Sequence, residues 1–116
     1  MSLDFMATRT EGFCKCCGRE PEYILDVNIT HNLNTMAEEA GLYKALWRPD
    51  EQGWKQLKDI IPILEKGLKD LKDRPEHYKT FNPENGWGTY KYFVYFVEKI
   101  LECGRENSEA FIEINR

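Results

Sequence analysis

What this sequence has little of narrows the field first. Across 116 residues there are only two histidines and four cysteines, and no run approaches the roughly 18 apolar residues that a membrane-crossing helix needs. The first 20 residues contain no apolar signal core, so secretion is not expected and the chain is expected in the cytoplasm, away from membranes. In that compartment Cys14, Cys16, Cys17 and Cys103 are reduced thiols or metal ligands rather than structural disulfides. Excess positive charge is missing as well. Sixteen basic against 20 acidic side chains leave a formal net charge of −4, which provides no overall attraction to a phosphate backbone and makes nucleic acid a poor first guess. The one local basic cluster, Lys66, Lys69, Lys72 and Arg74, is interleaved with Glu65, Asp70 and Asp73 and reads as a solvated helix face. Internal repeats and low-complexity tracts are also lacking.

What is present suffices for one domain. Hydrophobic residues make up 41% and charged residues 31% of the chain, with three Trp, six Tyr and six Phe for the interior. A chain of this size buries roughly two-thirds of the surface it exposes when unfolded, so one core can form without a metal or a disulfide. Met1-Ser2-Leu3 reads as an expression leader with Met6 a native start, and residues 1–9 are expected to take no part in the fold. Residues 1–20 are then a flexible N-terminal segment carrying the cysteine cluster, and residues 21–116 a single α+β domain.

Periodicity organises that domain. Leu25, Val27 and Ile29 alternate with Asp26, Asn28 and Thr30, which predicts a strand near residues 23–30. Leu33, Met36, Ala37, Ala40, Tyr43 and Trp47 recur at helical spacing, with Gly41 marking a break between two short helices and Arg48-Pro49 closing the unit. The clearest stripe follows in Trp54, Leu57, Ile61, Leu64, Leu68 and Leu71, where Pro62 predicts a kink or a new start capped by Asp59. Arg74-Pro75 ends that run, and another short helical turn is expected before Phe81. Asn82-Pro83 and Asn85-Gly86 mark a loop, and a third helix starting near Thr89 buries Phe93, Val97, Ile100 and Leu101, with Tyr92 and Phe96 broadening its apolar side. Two-residue alternation returns near 110–115. The expected fold is therefore α+β and mainly helical: about three helices packed on a two-stranded sheet formed by the segments near 23–30 and 110–115.

Three places carry candidate chemistry. Cys14 and Cys17 have the two-residue spacing of a zinc knuckle, but a structural zinc takes four ligands and no second such pair exists, so Cys16, Cys103, His31 or His77 would have to complete it. Apart from that zinc, no cofactor is indicated. Cys103 itself reads as a small buried hydrophobe. His31 and Asn32 lie among Asn28, Thr30 and Asn34 at a strand-to-helix junction, where free backbone N–H groups gather and anions bind; equally, these are ordinary cap and turn residues. Asn85 and Trp87 belong to a loop that combines amides, a carboxylate and aromatic rings with glycines allowing close approach, although an indole there also serves as a core plug.

The strings Asn28-Ile29-Thr30-His31-Asn32-Leu33, Met36-Ala37-Glu38-Glu39-Ala40-Gly41-Leu42-Tyr43, Leu46-Trp47-Arg48-Pro49 and Asn82-Pro83-Glu84-Asn85-Gly86-Trp87-Gly88 resemble a family of small uncharacterised proteins from phages, prophages and gut bacteria. The resemblance runs from about Tyr23 to the C-terminus, leaving out the cysteine segment. It implies a mobile-element setting and a stand-alone domain, and brings with it no activity, cofactor or catalytic residue.

The expected function is a small non-enzymatic binding module for an anionic small ligand or an acidic peptide, held by His31, Asn32, Asn85 and Trp87, with Trp47 or Trp87 stacking on a planar group. The alternative is a protein-interaction subunit that modulates a bacterial host factor through Trp47, Trp87 and Tyr43. A third reading makes the chain a hydrolase-like enzyme with His31 as general base, oriented by Glu84 or Asp26.

Overall fold

The computed structural model describes residues 2–8, 23–81 and 89–115. The chain is α+β, and the segments expected to be strands are strands, yet they do not pair with each other. Between them lies β1 (Ser2–Thr8), antiparallel both to β2 (Tyr23–Thr30) and to β3 (Phe111–Asn115), giving the sheet order β2-β1-β3. Residues 2–8, expected to be a leader outside the fold, are thus the middle strand, and a domain boundary at residue 20 would remove the centre of the sheet. The physical reason is visible in the residues. Leu3, Phe5 and Ala7 alternate with Asp4, Met6 and Thr8, and each of those three is completely buried.

Register carries this alternation across the sheet. Leu3 lies opposite Ile29, Phe5 opposite Val27 and Ile114, and Ala7 opposite Leu25 and Ile112. Those side chains share the face turned to the helices. Asp4, Asp26, Asn28, Glu113 and Asn115 share the other, so a one-residue slip would exchange the two sets.

Five α-helices stand among the described residues. After a single 3-10 turn at His31–Leu33 come α1 (Asn34–Glu39) and α2 (Tyr43–Trp47), separated as expected at Gly41, whose φ of 76° is the left-handed conformation that favours glycine. Helix α3 (Leu57–Asp73) runs through Pro62 without a new start. Asp59 acts one turn earlier than expected: its carboxylate accepts the N–H groups of Lys55 and Gln56 ahead of the helix, each at 3.2 Å. Pro62 sits on the exposed side, where the carbonyl it leaves unbonded can turn to water. Helix α4 (Pro75–Lys79) is the expected short turn, begun by a proline.

Helix α5 (Tyr90–Glu106) opens on Thr89, whose hydroxyl accepts the Tyr92 N–H at 3.2 Å. It buries Phe93, Phe96, Val97, Ile100 and Leu101 between the sheet and α3. The Phe96 ring meets the Phe5 ring edge-on, with centroids 6.5 Å apart, and burying a ring of that size contributes roughly 2–3 kcal/mol. Along the α3–α5 seam the Tyr90 hydroxyl donates to the Leu71 carbonyl at 2.7 Å and Lys72 pairs with Glu98 at 2.9 Å. Gly67 of α3 is buried where Leu42 packs against the helix, and a Cβ there would collide with the leucine side chain.

No helix among the described residues is long and apolar enough to cross a membrane.

Candidate functional site

At the junction after β2, His31 and Trp47 come together. The indole Nε1–H donates to His31 Nδ1 at 3.0 Å, which requires the tautomer that carries its proton on Nε2. Trp47 is only 2% exposed, and the Tyr43 ring stacks on it with centroids 5.7 Å apart and planes 17° from parallel. Beyond it, Arg48 donates to the Tyr43 hydroxyl at 3.3 Å and pairs with Glu51 at 3.0 Å; the Tyr43 bond is the chief cause holding the guanidinium in its charged form. A ring clamped in this way braces the 3-10 turn onto α2 and offers no face on which a planar ligand can stack.

Asn32 is exposed, and its N–H donates to the Thr30 hydroxyl at 3.3 Å. Asn85, Trp87 and Glu84 lie outside the described residues, as do Cys14, Cys16 and Cys17. Cys103 is half-buried on α5, where burial pushes its thiol pKa up. Among the described residues no three His, Cys, Asp or Glu side chains are grouped as metal ligands would be.

A second polar cluster locks α1, α3 and α4 together. Arg74 grips both oxygens of Asp70, at 3.1 and 2.6 Å, and the buried Tyr78 hydroxyl donates to the same carboxylate. His77 of α4 reaches Glu39 of α1 at 3.1 Å and packs edge-on against Phe81. Hydrogen bonds from Arg74 and then Tyr78 hold the Asp70 carboxyl below its ordinary range, while burial first and Asp70 second push the Tyr78 hydroxyl up to about 12. Each group here bonds another, which is the signature of a brace between helices.

The side of the molecule formed by β2 and α5 differs. Tyr23 on β2 and Tyr92 and Tyr95 on α5 are 49%, 43% and 52% exposed, and they are the large hydrophobic side chains that the described residues leave open to solvent. Tyr92 and Tyr95 lie 6.2 Å apart, centroid to centroid, and Lys99 stands over the Tyr95 ring at 5.4 Å. The Tyr92 hydroxyl donates to the Asn28 carbonyl at 3.1 Å, tying the first turn of α5 to the last residues of β2. A hollow of about 380 Å³ opens there, lined by Asn28, Ile29, Thr30, Thr89 and Tyr92. At the opposite end of β2, Ile24 joins residues 106–110 around a second hollow of about 370 Å³.

Tyr92, expected to broaden the apolar side of its helix, is instead exposed together with Tyr95. A signal was available: with Phe93, Phe96, Val97 and Ile100 setting the buried direction, Tyr92, Tyr95 and Lys99 recur at spacings of three and four on another side. Which side met solvent and which met β2 was not contained in that spacing.

Comparison with protein-family models, curated proteins and solved structures yields no match for this chain.

Proposed function

We propose that this chain is a small non-enzymatic binding module whose partner is another protein, engaged through the face that β2 and α5 share. One observation carries the reading: the exposed rings Tyr92 and Tyr95 stand together on α5 next to β2, whereas the other described helices turn their rings inward or into hydrogen bonds. Tyrosines are favoured at recognition surfaces because each brings a large rigid apolar area and a polar tip at small entropic cost. The motif resemblance adds a phage or prophage setting, in which the partner is a bacterial host protein.

Other readings gain less from the side chains. A bound phosphate or carboxylate would use the N–H groups at the starts of the 3-10 turn and of α5, but the Thr30 and Thr89 hydroxyls already accept from Asn32 and Tyr92 there. A hydrolase would orient His31 through a carboxylate that accepts from Nδ1–H, but Nδ1 is itself the acceptor of the Trp47 indole N–H. Zinc at Cys14 and Cys17 is independent of both and is decided by metal analysis of the purified protein.

Photo-crosslinkers installed separately at Tyr95 and at Lys69, on the other side of the molecule, test the proposal in a bacterial host lysate. The Tyr95 probe is expected to capture a discrete protein that the Lys69 probe does not; equal capture from both positions, or none from Tyr95 with the fold intact by circular dichroism, removes it.

A further inference from the structure

We infer that the corner between α1 and α2 holds a separate binding site, for a zwitterionic small molecule with a planar ring, of which a free aromatic α-amino acid is the simplest. The site is a hollow of about 370 Å³ lined, among the described residues, by Glu38, Gly41, Tyr43, Lys44 and Trp54. That volume falls at the small end of the roughly 300–1,000 Å³ usual for sites that take small ligands, and it suits one amino acid rather than a peptide. None of the five residues belongs to β2 or α5, so the site is independent of the protein partner proposed for that face.

Backbone bonds fix the corner before any ligand arrives. The Gly41 N–H bonds the Glu38 carbonyl at 3.1 Å and the Leu42 N–H the Ala37 carbonyl at 2.8 Å, and with Gly41 at a φ of 76° the chain turns sharply from the end of α1 into α2. Glu38 and Lys44, one on each side of that turn, are thereby brought to the same hollow. Trp54 arrives from the following loop, where its N–H bonds the Pro49 carbonyl at 3.0 Å and the next N–H, of Lys55, bonds the Asp59 carboxylate at 3.2 Å. Tyr43 is held by Trp47 stacked against its ring and by Arg48 on its hydroxyl. Beside Gly41 the space is open, since a Cβ built there would meet no atom within 4 Å. Walls fixed in advance in this way cost a ligand little ordering.

What the hollow offers, the protein itself leaves unused. Glu38 and Lys44 carry opposite charges and line the same hollow, yet neither side chain forms an ion pair or hydrogen bond with the other or with any other described residue. The indole N–H of half-buried Trp54 likewise bonds no described residue. In the Trp47–His31 and Asp70–Arg74–Tyr78 clusters, by contrast, the polar groups bond one another. A carboxylate and an ammonium that stand apart in one hollow are complementary to a molecule carrying the same two charges in reverse, with its ammonium at Glu38 and its carboxylate at Lys44. Tyr43 and Trp54 supply the third contact, an aromatic wall for a planar side chain. A purely cationic ligand would meet Lys44 as a like charge and a purely anionic one Glu38, so the pair selects the zwitterion.

The probes are L-tryptophan, tryptamine, which lacks the carboxylate, and indole-3-propionate, which lacks the ammonium. Each is titrated into the full chain and followed by NMR at the Trp54 indole N–H, assigned with Trp54→Phe, and at the Gly41 and Lys44 amides. L-Tryptophan is expected to saturate these shifts with a Kd of about 0.1–1 mM, and each analogue to bind at least roughly fivefold more weakly. Glu38→Gln should weaken tryptophan about three- to fivefold without weakening indole-3-propionate, and Lys44→Met should weaken tryptophan to the same degree without weakening tryptamine. Both side chains are exposed and unpaired among the described residues, so either variant keeps the fold, which circular dichroism checks.

Absence of any shift at about 10 mM L-tryptophan overturns the site. So does binding equal to that of tryptophan by tryptamine, the mark of a cation slot, by indole-3-propionate, the mark of an anion site, or by neutral indole, the mark of a plain apolar cleft. Tryptophan affinity unchanged in both variants overturns the roles of Glu38 and Lys44, and shifts confined to residues outside 38–54 overturn the location. None of these results bears on capture through the Tyr95 crosslinker, so the protein-partner reading stands or falls by itself.

Discussion

Along β3 the chain closes its own sheet: residues 55–58 lie against residues 108–112, the Gln56 side chain donates to the Glu109 carbonyl at 3.0 Å, and Asp59 ties the same stretch to the start of α3. Along β2 the neighbour is a helix running beside the strand, with exposed tyrosines and one hydroxyl-to-carbonyl bond across the gap. A strand edge left without a paired neighbour is a hazard unless it is protected or used. Here one edge is finished by an internal segment held at both ends, and beside the other the α5 rings Tyr92 and Tyr95 stand open to solvent next to the hollow at Asn28. The contrast separates an edge held by the chain's own bonds from a side that leaves aromatic rings in solvent.

Breaking the strand that both edges share should have the largest effect. Phe5→Ala removes a completely buried ring between Val27, Ile114 and Phe96, and is expected to cost about 3–5 kcal/mol in chemical denaturation, enough to unfold much of the population. Next in size, Gly67→Ala pushes against Leu42 where α3 meets the start of α2 and should cost about 1–3 kcal/mol, lowering Tm without touching either edge. On the closed side, Asp59→Ala frees the N–H groups of Lys55 and Gln56; about 1 kcal/mol of lost stability and faster amide exchange at residues 108–112 are expected, with β2 unaffected. If β2 exchanged equally fast in that variant, the edges would not be independent.

Away from both edges, the Tyr78 brace predicts a pH effect of similar size. Its folded hydroxyl is raised from 10.0 to about 12, so the stability it contributes is complete below pH 10 and is lost as the pH climbs through 12. Tyr78→Phe should flatten that alkaline loss in a thermal-denaturation series. The smallest effect is expected on the open side: Tyr92→Phe deletes an exposed hydroxyl bond and should change stability by roughly 0.5 kcal/mol or less, while speeding exchange next to Asn28.

How much could be read in advance follows from the range of each interaction. Helices α1 to α5 were legible because their apolar residues repeat locally, and even the break at Gly41 and the start at Thr89 rest on residues adjacent in the chain. Of the two outcomes expected at Pro62, the new start does not occur, because its cap, Asp59, is spent on residues ahead of the helix, where residues 55–58 are held by 108–112. Strand β1 was passed over although its alternation is as regular as that of β2, since seven residues do not by themselves distinguish a leader from a strand; partners near residues 30 and 112 make the difference. Of the residues nominated for binding, His31 and Trp47 were chosen for their chemistry and meet in a hydrogen bond to each other.

The amino-acid sequence determined on its own the α+β class, the helical stripes and the two-residue alternations, because each is a statement about neighbours along the chain and the sterics of one element. Only the tertiary structure decided which strand lies in the middle, which edge is closed and which tyrosines meet solvent. Those outcomes depend on segments up to about a hundred residues apart packing into one core, where burial of one face selects among pairings that local preference leaves equal.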